Sequence, residues 1–143
     1  MVIEQGNPYA AGAPEVLRLG WDDFRFEVSA VNRAAMGHRA KWTVVLYLAA
    51  DCDLARWMFD DLLEAKSVGS TADVNVLVFF DGPLLGDSFM ARLHAGTALG
   101  EDLIVRFFEL DMADPASLVM ALQLAQAFPA EHRLTVLGGH GAG

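Results

Sequence analysis

The chain is short of cysteine, of positive charge and of long apolar runs, and each shortage removes a class of protein. A single cysteine, Cys52, excludes an internal disulfide and any metal centre built from several thiolates. Ten Lys and Arg stand against 19 Asp and Glu, a formal charge of −9. The bases are scattered, so no positive face awaits a phosphate backbone and nucleic acid is not an expected partner. The longest apolar run, residues 42–50 broken only by Thr43, is far below the roughly 20 residues of a spanning helix, and no membrane partner is expected. Residues 1–20 carry Glu4 and lack the basic-then-apolar order of a secretory signal, which points to the cytoplasm. The phosphate loop G-x-x-x-x-G-K-[ST] is missing, and no G-x-G-x-x-G follows the first strand, so nucleotide binding is disfavoured.

What the chain does have is apolar content: 54% of its 143 residues are hydrophobic, enough for one domain that buries roughly 68–70% of its unfolded surface. The first 40 residues, with Gly6, Pro8, Gly12 and Pro14, read as an irregular arm holding one short strand or helix, with an apolar stretch over residues 16–31. From residue 41 the pattern sharpens into an α/β domain over residues 41–143. The run over residues 42–50 is what a central parallel strand covered on both faces requires. Asp51 and Asp53 follow, and either can cap a helix whose apolar set, Leu54, Trp57, Met58, Leu62, Leu63 and Ala65, recurs every three or four residues until Gly69.

Residues 74–80 form a second buried strand, ending at Asp81-Gly82-Pro83. Two alternating segments, residues 89–94 and 103–110, joined through the glycine-bounded residues 96–100, read as an inserted β-hairpin. Asp114 then caps a helix with Pro115 at its first position, running to Phe128-Pro129. A third buried strand, residues 134–137, leads into Gly138-Gly139-His140. Strands alternating with helices demand right-handed crossovers and a mostly parallel sheet with helices on both faces, so the fold class is three-layer α/β. If the last strand lies at the sheet's end, its apolar edge is exposed and the chain takes a partner strand in trans or self-associates.

His140 carries the chemistry. It stands at the carboxyl end of a strand, where ligands of open α/β sheets collect, and an imidazole exchanges protons near neutral pH. An exposed turn histidine is the competing reading of the same residues. Asp51, Asp53 and Asp81 also fall at strand ends. They are the right type for a hard cation, with helix capping and a turn as their simpler roles. Cys52 stands between two acids that disfavour a thiolate and reads as structural. His38, His94 and His132 read as solvated surface residues.

The series Trp42-Thr-Val-Val-Leu-Tyr-Leu-Ala-Ala-Asp51 with Asp53-Leu54, Val74-Asn-Val-Leu-Val, Asp111-Met-Ala-Asp-Pro115 with Leu118, Phe128-Pro-Ala130 and His140-Gly141 resembles the clostripain family of cysteine peptidases over about 100 residues. The resemblance implies a caspase-like fold and peptide-bond hydrolysis through a Cys-His dyad. His140 matches the catalytic histidine, acting as acid and base, and Gly141 the residue whose N–H serves the oxyanion hole. The dyad's cysteine belongs at the end of the next strand and is not in this chain. A cysteine-bearing chain or segment and a peptide substrate are therefore the implied partners, with cleavage after Arg or Lys.

The chain resembles the histidine-bearing light chain of such enzymes, or a truncated product, and is read as inactive alone. Gly138 and Gly139 stand where family members often carry a bulky residue and an asparagine. No cofactor is called for; calcium is implied by some family members without an assigned site. An inactive remnant or protein-binding module, and a small-ligand domain unrelated to proteolysis, are the alternatives.

Overall fold

The structure, a computed structural model, describes residues 6–10 and 26–141; the apolar stretch expected over residues 16–31 lies outside these up to residue 25. The elements follow in the order α1 (Ala30–Met36), β1 (Ala40–Ala49), α2 (Ala55–Val68), β2 (Val74–Asp81), β3 (Ser88–Arg92), α3 (Leu99–Asp102), β4 (Leu103–Phe107), α4 (Pro115–Ala125) and β5 (Ala130–Gly138). The strands form one sheet, ordered β4-β3-β2-β1-β5. β1 pairs in parallel with β2 and with β5, while β3 is antiparallel to both β2 and β4. Four strands therefore point one way and β3 is reversed. The inserted hairpin is β3 and β4, but its connection holds more than glycines: the helical turn α3 ends in Asp102, which is fully buried.

The two-residue period of the strands sorts their side chains into two cores. Leu48, Val78 and Phe80 face α2 and meet its Met58, Phe59 and Leu62. Val45, Tyr47, Leu77 and Phe79 face the other way and pack with Ala121 and Ala125 of α4 and with Ala35 and Met36 of α1. Phe59 and Leu62 are fully buried, and each such burial contributes about 1.5–3 kcal/mol, which fastens α2 to the sheet. The two faces follow from crossover handedness. The chain moves from β1 to β2 in one direction along the sheet and from β4 to β5 in the other, so right-handed connections put α2 and α4 on opposite faces.

Local signals explain the helix ends. Asp114 accepts from the N–H of Ala116 at 2.9 Å and Pro115 opens α4, as expected, although the helix stops at Ala125 short of Phe128. Ser29 caps α1 by accepting from the N–H of Asn32. Neither Asp51 nor Asp53 caps α2. Its N-cap is Leu54, with no side-chain bond, because both acids are drawn into clusters along the sheet edge.

Residues 6–10 close over the α2 face. The Tyr9 ring lies 5.5 Å from that of Phe59 and 5.7 Å from that of Phe80, and its hydroxyl donates to Asp87 at 2.7 Å. β5 departs from the buried strand read in the sequence. It lies at the sheet's edge beside β1 alone, and Leu134, Val136 and Leu137 are 49%, 42% and 64% exposed. The exposed apolar edge anticipated for a terminal strand is therefore present. No described helix is long and apolar enough to cross a membrane.

Candidate functional site

β1, β2, β4 and β5 share a direction, so their carboxyl ends open on one edge of the sheet. Asp51, Cys52 and Asp53 leave β1 there, Asp81 ends β2, Glu109 lies two residues past β4, and His140 lies two past β5. Between β1 and β5 the connections diverge to opposite faces, and such a switch point is where open α/β sheets hold their ligands. His140 stands at that point. Its Nε2 meets Asp53 Oδ1 at 2.6 Å, with the two side chains 51% and 83% exposed. A carboxylate only accepts, so Nε2 donates and Nδ1 is the ring nitrogen left with a lone pair. Asp53 is thus an orienting group for the imidazole.

Gly141 follows with φ +62° and nothing within reach of an added Cβ, a left-handed conformation that glycine adopts without strain. It lines a largely apolar cleft of about 360 Å³ with Tyr47, Met112, Leu118, Leu137 and Gly138. Gly138 has a packing reason as well: a Cβ there would stand 2.7 Å from Leu48 Cδ2. The glycines before His140 bring β5 close to β1, and the imidazole gains its support from Asp53 instead.

The acids divide into two groups. Asp51, Asp81 and Glu109 bring carboxylate oxygens within 4.8 Å of one another, whereas Asp53 groups with Cys52 and His140. The first group lines a cleft of about 410 Å³ that shares Ala49, Met112 and Ala113 with the apolar one. Asp81 is buried and accepts from Ser88 Oγ. Burial lifts its carboxyl to about 6, against the Ser88 bond, with Asp87 and Asp51 adding to the rise. Glu109, on the rim, is pushed up to about 7, by partial burial and then by Asp81, Asp87 and Asp51. Asp81 is therefore a buried member of an acid cluster and not merely a turn residue.

Glu109 was hidden in the sequence because residues 103–110 read as one strand. The strand stops at Phe107, and the shared direction of β4 with β1 and β2 is the signal that carries Glu109 to the edge.

The other singled-out residues take different places. Cys52 Sγ lies within 4.8 Å of ligand atoms of both Asp53 and His140, a proximity that sequence separation concealed. His94 is not a solvated surface residue. Its ring is mostly buried, with Nδ1 at 3.0 Å from Asp102 Oδ1 and Nε2 at 2.6 Å from Arg92 Nη1. A guanidinium only donates, so Nε2 accepts and Nδ1 carries the proton to Asp102. Lys66 reaches the same Asp102 at 2.5 Å, and the cluster ties α2 to the β3–β4 connection, far in kind from the reactive edge. His38 contacts the Ala72 carbonyl at 2.9 Å, and the His132 ring lies tilted against that of Trp42, centroids 4.8 Å apart, on exposed surface.

A mostly parallel sheet flanked by helices is the architecture of caspase-like cysteine peptidases, and solved structures similar to this one are of that kind. The chain belongs to the clostripain family, whose model matches residues 46–143.

Among similar structures, a secreted C11 cysteine protease of Bacteroides thetaiotaomicron, solved with an irreversible peptide inhibitor, shares 25% identity at a TM-score of 0.62. That match covers 73% of this chain and 30% of the other. A B. fragilis cysteine protease gives 22% identity and a TM-score of 0.58, covering 72% of this chain and 91% of that one. A clostripain of B. thetaiotaomicron, in complex with a peptide inhibitor, gives 14% and 0.61, covering 73% and 94%. No curated protein matches.

Proposed function

We propose that this chain supplies the histidine-bearing part of a cysteine endopeptidase of the clostripain type. The observation that carries the reading is the placement of His140 at the β1–β5 switch point, held through Nε2 by Asp53 with no hydrogen bond to Nδ1 among the described residues, beside an open apolar strand edge. His140 takes the thiol proton through Nδ1, the thiolate attacks the scissile carbonyl, and His140 returns the proton to the leaving amine. The N–H of Gly141, on exposed left-handed backbone, donates to the oxyanion. The thiol comes from a cysteine outside these 143 residues, presented on a strand that pairs with the free edge of β5. Leu134, Val136 and Leu137 are the apolar surface that such a strand would cover.

Cys52 is a poor candidate for that thiol. It sits in the turn after β1, and its Sγ points to the Ala49 carbonyl at 3.8 Å. The substrate is a peptide cleaved after Arg or Lys, a preference supported by the acidic cleft of Asp51, Asp81, Glu109 and Asp111 beside the site. Calcium, where the enzyme uses it, fits the same all-oxygen cluster of Asp51, Asp81 and Glu109.

The test pairs this chain with the polypeptide encoded after the Gly143 codon and adds a lysyl or arginyl peptide carrying a thiol-reactive group. Mass spectrometry is expected to place the adduct on a cysteine of the complementing segment. Replacing His140 by Ala is expected to slow labelling by about 10²–10⁴-fold. An adduct on Cys52, or labelling indifferent to His140→Ala, would overturn the reading.

A further inference from the structure

The described residues hold two clusters with metal-ligating chemistry, and the one built from Asp51, Asp81 and Glu109 offers only oxygen. The other is of a different kind. Cys52 Sγ, a carboxylate oxygen of Asp53 and an imidazole nitrogen of His140 all lie within 4.8 Å of one another. We propose that these three residues form a binding site for a thiophilic divalent cation of the zinc class. Thiolate and imidazole donors select such ions over calcium or magnesium, and the neighbouring carboxylate completes a three-residue set with a fourth position open to water.

The geometry is close to what the ion needs. Bonds of about 2.0–2.3 Å in a tetrahedron put ligand atoms about 3.3–3.8 Å apart. No pair lies beyond 4.8 Å, so closing takes at most about 1–1.5 Å, and the 2.6 Å contact between His140 and Asp53 opens by about 1 Å or less. Two ligands are adjacent on the turn after β1 and the third lies just past β5. The paired register of those strands, Leu48 against Gly138, holds both turns at one end of the sheet. Among the described residues the Cys52 thiol has only the weak 3.8 Å contact to the Ala49 carbonyl, and His140 and Asp53 are exposed, so the ion can enter and the thiol can turn. On binding, Cys52 releases its proton to solvent. The flanking acids Asp51 and Asp53 add negative charge that attracts a dication.

This site shares the imidazole with the reaction above. An ion on His140 Nε2 and Asp53 replaces their hydrogen bond and leaves the imidazole's one proton on Nδ1, which then cannot accept the thiol proton, so metal occupancy and proton transfer exclude one another. That inhibitory role rests on the reading of His140 as acid and base, whereas binding itself does not.

Titrating the 143-residue chain with Co²⁺ alone reads binding with no peptidase activity required. A thiolate-to-cobalt charge-transfer band is expected to rise to one equivalent and to vanish on adding Zn²⁺. Loss of a contact that merely supports a ligand costs about 10–100-fold in metal affinity, so Cys52→Ser, Asp53→Asn and His140→Gln should each weaken Zn²⁺ binding at least that much. Cys52→Ser should also abolish the band. No band in the natural chain, or Zn²⁺ affinity unchanged in all three variants, overturns the site. In the assembled peptidase, activity that is indifferent to Zn²⁺ at concentrations saturating the cobalt site overturns the inhibitory role alone.

Discussion

Replacing Asp102 by Asn tests how the hairpin is anchored to the rest of the sheet. Asp102 is fully buried and accepts from Lys66 Nζ at 2.5 Å, Thr97 Oγ1 at 2.8 Å, and His94 N and Nδ1 at 3.0 Å each. Burial alone would raise its carboxyl, yet the bonds from His94, Lys66 and Thr97 outweigh that and hold it below the usual carboxylate range. The amide removes the only carboxylate that faces, among the described residues, a lysine side chain that is 11% exposed, and it sets an NH₂ among donors of which Lys66 Nζ and the His94 backbone N–H can only donate. Breaking a buried pair from one side costs about 3–5 kcal/mol, because the remaining charge is left without a partner.

For a domain of this size that loss lowers Tm by about 10 °C or more. Urea unfolding of the natural chain, Asp102→Asn and Lys66→Met/Asp102→Asn gives the numbers directly. The double variant is expected to be more stable than Asp102→Asn, since it no longer buries an unpaired ammonium. The sign with pH follows from a lowered carboxyl: its contribution is present above the ordinary value near 3.9 and lost as pH falls through the folded value. A cost below about 1 kcal/mol for Asp102→Asn, against the 3–5 expected of a broken buried pair, would refute the argument. So would a double variant no more stable than the single one.

Asp81 has the opposite sign. Its carboxyl is raised from 3.8 to about 6, so its protonated form favours the folded state; that contribution, about 3 kcal/mol, is present below pH 3.8 and lost as pH rises to about 6. The stability difference between the natural chain and Asp81→Asn, followed by urea unfolding from pH 4 to 7, should shift by most of that amount in favour of the amide; a flat difference would contradict it. Gly69→Ala should destabilise by about 2–4 kcal/mol, since φ is +71° and the new Cβ would run into the backbone N of Ala95 and stand 3.0 Å from the His94 backbone. Gly96→Ala, with a similar positive φ but open space, should cost only the conformational part, and equal costs at the two sites would remove the steric argument.

Much of this fold is legible in the sequence because it rests on short-range rules. The apolar runs of β1 and β2, the three- and four-residue spacing of α2 and the Asp114-Pro115 start of α4 are periodic or capping signals, and they place elements without knowledge of their neighbours. The position of His140 at a strand's carboxyl end, and the resemblance carried by the strings around it, are legible for the same reason.

What tertiary structure decided is which groups meet. Asp53 stands 87 residues from His140, and only the parallel pairing of β1 with β5 brings its oxygen to 2.6 Å and makes it an orienting group instead of a helix cap. The same pairing sets Cys52 beside the imidazole, and the direction of β4 carries Glu109 to Asp81. His94, one of three histidines alike in sequence setting, becomes a buried link because α2 offers Lys66 and α3 offers Asp102 to one point. Sheet order placed β5 at the edge and left its apolar residues in solvent, where their hydrophobicity alone had suggested burial. Periodicity is a property of one segment, whereas a site is a property of several, and its distances are set by strand order, register and crossover direction.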